Sequence, residues 1–200
     1  MTNRPVLNIK NLTVQLGGQV ILEDVGFRLE PGQKCLISGA SGSGKSVFLS
    51  ALLGLLPASA IKSGNFQIWR GGDNKNLDYA EYQNLPYITD IFGVVFQDAI
   101  HSLHPFRNIR EQAPVNHQYS ELTELFSNFF LDYNYLCNQN ALRLPRHCSG
   151  GECQRLSLLF AMLADKQCIL LDDPLTDIDH VSRSAVQASI GRVLNDPDKT

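Results

Sequence analysis

No apolar run in the chain approaches the roughly 18 residues needed to span a membrane. Charge of one sign is also missing. The 17 Lys and Arg stand against 20 Asp and Glu, for a net charge of -3. That leaves no basic footprint for nucleic acid or for an acidic membrane surface. Cysteine is sparse: five residues, an odd number, with no C-x-x-C pair. This excludes a disulfide framework and reads as free thiols in a reducing compartment. Cys35 and Cys168 lie in apolar runs and are expected to be buried as small hydrophobes. Internal repeats and low-complexity segments are absent. Met1 to Pro5 leads into a strand-like alternation rather than a secretory leader.

What remains is an ordinary globular composition, 44% hydrophobic and 18% charged over 200 residues. It is long enough for one domain, or one domain with an inserted lobe.

The most informative stretch is Gly39-Ala40-Ser41-Gly42-Ser43-Gly44-Lys45-Ser46, a G-x-x-x-x-G-K-S phosphate-loop pattern. Lys34 to Ser38 before it is short and apolar enough for a buried strand. After it, Phe48, Leu49, Leu52, Leu53 and Leu56 recur at helical spacing. Strand, loop and helix are the context in which the pattern has chemical meaning. The glycines let backbone N–H groups approach phosphate oxygens, and the helix N-terminus adds its positive end. Lys45 would reach the β- and γ-phosphates, and the Ser46 hydroxyl would ligate Mg²⁺. The plainer alternative is a Gly/Ser-rich turn before an ordinary helix.

Elsewhere the chain reads as follows. Val6 to Leu16 and Val20 to Leu29 alternate as antiparallel strands joined at Gly17-Gly18. Gly64 to Trp69 is a further strand, with Gly71-Gly72 after it, and Asp73 to Asn76 reads as a polar loop. Ile91 to Phe96 is a buried strand that delivers Gln97 and Asp98 at its carboxyl end, where open α/β sheets contact ligands. From Ala99 to His147 strand signals vanish, and Leu122, Leu125, Phe126 and Phe129 fall at helical spacing. This is expected to be an inserted helical lobe. Ser149 and Glu152 have the S-x-x-E spacing of a capping box before a helix with Leu156, Leu159, Phe160 and Leu163 on one face. With Gly150 and Gly151 that helix start is a second candidate anion site, or simply a cap. Cys168 to Leu171 is an apolar strand ending in Asp172 and Asp173. The first carboxylate could support Mg²⁺ opposite Ser46, and the second could orient a water. Pro174 to Asp179 is a turn. Val181 to Leu194 reads as a helix with Val186, Ile190, Val193 and Leu194 inward. His101, His104, His117 and His147 lack clustered carboxylates or cysteines, so surface or packing roles are expected and no metal site beyond the nucleotide's Mg²⁺.

Phosphate loop, strand-end glutamine, helical lobe, Ser149-Gly150-Gly151-Glu152-Cys153-Gln154-Arg155 and an apolar two-acid strand follow in that order. The set resembles the ATP-binding subunit of ABC transporters over essentially the whole chain. Val94 to Asp98 followed by Ser102-Leu103-His104-Pro105 is similar to the peptide/nickel importer branch. The implied fold is an α/β P-loop NTPase of ABC type, with an N-terminal antiparallel β subdomain and an inserted helical lobe. Residues 1–97 and 168–200 would form the nucleotide-binding core, and 98–167 the lobe. The resemblance implies ATP held by Gly39, Ala40, Ser41, Gly42, Ser43, Gly44, Lys45 and Ser46. It implies Mg²⁺ held by Ser46 and Gln97 with support from Asp172, and water activation at Asp173. Gln97 would also hinge the lobe. Ser149, Gly150, Gly151 and Glu152 would face the nucleotide of a second ATPase subunit, identical or not. Asp179 would lie in the dimer interface. The partners implied are that second subunit and integral membrane permease subunits docked near residues 98–115, which would place the chain peripherally on the cytoplasmic face of the membrane. No nucleic-acid partner is implied.

Four departures accompany the resemblance. Asp173 stands where active members carry glutamate. The early aromatic that stacks on adenine is missing, leaving Leu16 or a neighbour. Cys148 and Glu152 replace leucine and glutamine of the signature. The switch histidine and the strand before it are absent, and His180 is too near Asp172 to serve, so residues 1–200 are expected to be part of a longer chain. Two further readings stay open beside an importer ATPase: a degenerate subunit with little hydrolysis, and an ABC ATPase working outside transport.

Overall fold

The computed structural model describes residues 6–70, 73–86, 88–113, 119–137, 143–164, 166–175 and 178–194. Gly71-Gly72 and His117 fall outside them. The chain forms two compact units, residues 1–92 and 93–199.

The first unit is built on a four-stranded sheet in the order β2-β1-β3-β4, from β1 (Leu7–Leu16), β2 (Gln19–Leu29), β3 (Ile61–Arg70) and β4 (Asp73–Asp78). All three pairings are antiparallel. In β1 the buried residues are Leu7 and Ile9, then Leu12 and Val14. Strict alternation cannot place odd and even positions on one face, so the strand must gain a residue between them. It does so at Asn11, where the register shifts between Ile9 and Leu12 and φ is +55°. Asn11 is suited to that left-handed conformation, and its amide donates to the Asp24 carboxylate on β2 at 2.5 Å.

The sheet carries helix α1 (Lys45–Leu52), whose Phe48, Ala51 and Leu52 are buried. Phe48 meets Phe27 edge-on with ring centroids 5.4 Å apart. Helix α2 (Tyr79–Gln83) starts at a capping box of Asp78 and Glu81. It places Tyr79 and Tyr82 around Phe66, with centroids 5.4 and 4.1 Å away. The Tyr79 hydroxyl donates to the Ala51 carbonyl at 3.2 Å, and the Tyr82 hydroxyl to the Leu52 carbonyl. Two carbonyls of the last turn of α1, which have no partner inside the helix, are satisfied in this way. The short helix α3 (Ile88–Ile91) follows.

Two expectations fail in this unit. Lys34 to Ser38 forms no strand, and Leu36 is 90% exposed and Ile37 40%. An apolar run becomes a strand only when a neighbour supplies hydrogen-bond partners, and among the described residues none pairs with it. Cys35 is therefore exposed, not buried. Asp73 to Asn76 is not a loop but belongs to β4, which closes the edge of the sheet against β3. An edge strand tolerates polar residues because one of its sides meets water.

The boundary between the units falls just inside β5 (Phe92–Val95), which is shorter than the Ile91–Phe96 expected and lies in the second unit from Gly93 onward. The lobe is helical as expected, with α4 (Ile109–Gln112), α5 (Tyr119–Asn128) and α6 (Tyr133–Cys137). Its centre is α7 (Gly150–Leu163), buried on more than one face: Cys153, Gln154, Leu156, Ser157, Leu158, Leu159, Ala161, Met162 and Leu163 are all covered. Phe126 packs edge-on to Tyr133 at 5.0 Å within the same core. Gly93 of β5 passes so close to α7 that a Cβ would lie 3.0 Å from the Ala161 carbonyl oxygen. β6 (Cys168–Leu171) pairs with β5, and α8 (His180–Leu194) buries Val186 and Ile190. The side chains of Val193 and Leu194 lie outside the described residues.

Candidate functional site

In the first unit the phosphate-loop pattern folds as an exposed turn running into α1. Residues 39–43 are exposed, Gly44 is buried and Lys45 half-buried. Gly44 is the N-cap with φ +93°, a conformation only glycine adopts without strain. A Cβ there would also lie 3.0 Å from a methyl of Leu22. The loop curls around the Lys45 ammonium, which donates to the carbonyls of Gly39 at 2.8 Å and Ala40 at 2.9 Å. No side chain caps α1, so the positive end of the helix is left to whatever the loop takes up. A fixed cation beside an uncapped helix start on an exposed loop fits a polyphosphate. Ser46, the next residue, is exposed.

In the second unit the ends of β5 and β6 are joined. The Asp172 N–H donates to the Val95 carbonyl at 2.9 Å. Gln97, two residues beyond Val95 and exposed, and half-buried Asp172 thus leave the two-stranded sheet at the same end. Asp173 is exposed and has φ +47°. The left-handed region is several-fold enriched in aspartate among non-glycine residues. Ser46, Gln97 and Asp172 offer hydroxyl, amide and carboxylate oxygens, hard donors of the kind Mg²⁺ takes. The first belongs to one unit and the other two to the second. Among the described residues no cluster of three or more His, Cys, Asp or Glu is arranged to hold a metal.

The start of α7 is a complete capping box. The Ser149 hydroxyl accepts from the Glu152 N–H at 3.2 Å, and the Glu152 carboxylate accepts from the Ser149 N–H at 2.7 Å and its hydroxyl at 2.9 Å. Gly150 is exposed, with nothing within 4 Å of where a Cβ would stand.

Asp179 caps α8. Its carboxylate accepts from the Ser182 N–H at 2.9 Å and the Ser182 hydroxyl at 2.8 Å, and the Arg155 guanidinium lies 3.4 Å away. Gln154 adds a second link from α7, its amide donating to the Pro174 carbonyl at 2.9 Å. These two ties were not anticipated. Both residues follow directly on S-G-G-E-C, but spacing along one helix cannot show which distant backbone they reach. Ser157 of α7 likewise donates to the Ala99 carbonyl at 3.1 Å, just past Gln97.

Burial pushes the Cys168 thiol up to about 11. Burial pushes Cys137 up to about 12, with Arg110 pulling weakly the other way. Nδ1 of His147 accepts from the Leu144 N–H at 3.2 Å. His104 accepts from the Phe106 N–H at 3.3 Å.

The model of the family described as ABC transporter matches residues 22–176. The chain belongs to the ABC transporter family. Among characterised proteins it is similar to the "Fe(3+) ions import ATP-binding protein FbpC 2" of Haemophilus influenzae, 29% identical over 97% of this chain and 52% of that one. It is also similar to the "Oligopeptide transport ATP-binding protein OppD" of the same organism, 30% identical over 96% of this chain and 61% of that one. The "Nickel import ATP-binding protein NikE" of Shigella boydii is 30% identical over 88% and 63% of the two chains. The ABC chain thus spans between about half and just under two thirds of these relatives. In fold it resembles the ATP-binding cassette MJ0796, solved as a dimer in a post-hydrolysis state bound to ADP and Pi. The TM-score is 0.71 at 20% identity, over 97% of this chain and 85% of that one.

Proposed function

We propose that this ABC chain is the ATP-binding and hydrolysing subunit that powers an importer, of the kind serving peptides, nickel or chelated metal. The observation that carries the reading is the loop around Lys45, whose ammonium sits between the Gly39 and Ala40 carbonyls at the uncapped start of α1. An incoming polyphosphate offers that ammonium stronger acceptors than two neutral carbonyls. Residues 39–46 bind the phosphates. Ser46 in the first unit, and Gln97 with Asp172 in the second, are the residues that would serve as Mg²⁺ ligands, and the metal would supply charge neutralisation for the phosphates. Asp173 orients the attacking water. Ser149, Gly150 and Gly151 face the nucleotide of a second ATPase subunit in a head-to-tail dimer, and the Glu152 carboxylate keeps that turn in shape. Similarity to importer subunits supports a permease partner, docked near residues 98–115, and a place on the cytoplasmic face of the membrane.

A second reading is favoured by Asp173. Its carboxylate is one methylene shorter than a glutamate and leaves a backbone at φ +47°. A chain that binds ATP but hydrolyses it slowly, with a partner subunit doing the chemistry, would have this feature.

Lys45→Ala tests the main reading. Binding of a fluorescent ATP analogue and Mg-ATP turnover should both fall by an order of magnitude or more, about 1.4 kcal/mol for each factor of ten. Unchanged binding would remove the loop from the site. Binding without turnover in the wild-type chain, relieved by a complementary subunit, would favour the second reading. Co-purification with an integral membrane protein separates both from an ABC ATPase outside transport.

A further inference from the structure

Most of the side chains that α7 buries are apolar, but two are polar. Gln154 is 0% exposed and Ser157 3%. They stand three residues apart, so they share one face of the helix. Each donates to a carbonyl just past a strand of the two-stranded sheet. The Gln154 amide donates to Pro174, the residue after Asp173, at 2.9 Å. The Ser157 hydroxyl donates to Ala99, two residues after Gln97, at 3.1 Å. The strands themselves are joined at that end by the Asp172 N–H on the Val95 carbonyl, at 2.9 Å. One helix face therefore grips both segments that leave the sheet where Gln97 and Asp173 stand.

Stability does not account for Gln154. Its Oε1 is buried with no hydrogen-bond partner among the described residues. A buried acceptor left without a partner is a cost that an apolar side chain of similar size would avoid. What the amide does hold is backbone that needs holding. Proline pushes the residue before it towards extended backbone, yet Asp173 has φ +47°. Such a conformation persists where its surroundings fix it, and the bond to the Pro174 carbonyl fixes the peptide that follows.

We propose that Gln154 and Ser157 are positioning residues for ATP hydrolysis: from one face of α7 they set where Gln97 and Asp173 stand relative to each other. This rests on the roles of Gln97 and Asp173 proposed above. Both side chains act through backbone. Ser157 holds the exit of β5, and through it the amide that would ligate Mg²⁺. Gln154 holds the exit of β6, and through it the carboxylate that would orient water. The same helix begins with the Ser149-Gly150-Gly151 turn. A shift of that turn is carried to both exits at once, because a hydrogen-bonded helix transmits displacement as a rigid element. A second subunit seated on the turn would thereby be felt at both reacting groups.

Gln154→Met keeps the length of the side chain and removes the donor. Ser157→Ala removes the other donor. In each variant single-turnover hydrolysis of Mg-ATP should fall by between about ten-fold and about 10²-fold, the effect of small misplacements made away from the chemistry. Equilibrium binding of a fluorescent ATP analogue should be unchanged, since the phosphates lie on residues 39–46 of the other unit. The urea midpoint of Gln154→Met should not fall, because the unpartnered Oε1 leaves with the donor. Amide hydrogen exchange gives a reading that needs no ATP. The Asp172 N–H should lose protection several-fold in both variants, while the Leu159 N–H inside α7 keeps its own. Unchanged hydrolysis in a variant overturns the assignment of that residue. So does a loss of hydrolysis matched by loss of binding or of folded protein, which is what a merely structural contact gives. Unchanged protection at Asp172 overturns it as well. Failure of the hydrolytic reading looks different: the wild-type chain turns over no ATP even with a complementary subunit. Exchange at Asp172 then decides by itself whether the two side chains hold the strand ends.

Discussion

Arg155 on α7 and Asp179 at the start of α8 approach to 3.4 Å, so the helix that begins with the S-G-G-E turn is joined to the segment following the two-acid strand. Gln154 makes the neighbouring link to Pro174. Asp179 has two structural duties of unequal weight. Its carboxylate is more than half exposed, so the ion pair is worth a few tenths of a kcal/mol. The N-cap bond to Ser182 is worth about 1 kcal/mol. Asp179→Ala should therefore lower stability by about 1 kcal/mol. Asp179→Asn, which caps equally well, should lower it by well under half of that. Urea unfolding of the two variants decides: equal losses would mean that the charge, not the cap, is what matters.

Gly44 and Gly150 both stand at glycine-rich helix starts, the first as N-cap of α1 and the second as the first residue of α7, yet they should respond differently to alanine. At Gly44 the new Cβ meets Leu22 at 3.0 Å and φ is +93°, so Gly44→Ala should destabilise by about 1–2 kcal/mol or more. Around Gly150 the space is open. Gly150→Ala should leave the unfolding midpoint within about 0.5 kcal/mol. If the turn at Gly150 approaches a phosphate held by a second subunit, the same variant should lose most of its Mg-ATP turnover while staying folded. Full turnover would leave Ser149 and Glu152 as a cap and nothing more.

The contrast between these glycines explains what could be read from the sequence. The phosphate loop, the capping box at Ser149 and the β1–β2 hairpin were legible because each is decided by residues adjacent in the chain. Glycine turns, an S-x-x-E spacing and the broken alternation of β1 all act over a few residues. Lys34 to Ser38 was misread because its apolar composition states a preference for burial without supplying a partner strand. β4 was misread for the opposite reason: its composition is that of a loop, and its pairing is decided by β3. The Tyr79 and Tyr82 bonds to the end of α1 span about thirty residues and leave no local trace. Leu16, considered as a contact for the base, is half-buried at the end of β1.

Tyr79 gives the first unit an alkaline limit. Burial pushes its hydroxyl from 10.0 up to about 12. The folded value lies above the unfolded one, so the unfolded chain loses its proton first. The stabilisation is fully present below pH 10 and is lost as pH rises from 10 to about 12. Tyr79→Phe removes the titrating group, so its stability should fall less steeply across that window than that of the wild type. It should also be lower at neutral pH by about 1 kcal/mol for the bond to Ala51. Denaturant midpoints measured at stepped alkaline pH provide the comparison. Parallel curves for the two proteins would assign the alkaline loss to other groups.

Asp173 is where stability and turnover should part. Aspartate accepts φ +47° more readily than glutamate, because its short polar side chain can satisfy the local backbone. Asp173→Glu should therefore destabilise the chain, by about 0.5–1 kcal/mol. The added methylene moves the carboxylate outward by roughly 1 Å, and a misplacement of that size is worth up to about 10²-fold in rate. If Asp173 is the group that orients water, turnover should rise towards that limit while affinity for ATP stays unchanged, because the phosphates are held by residues 39–46. Single-turnover hydrolysis and equilibrium binding on the same preparation separate the two quantities. A variant that is less stable but no faster would show that the short side chain is not what limits the reaction, and would move attention to the partner subunit.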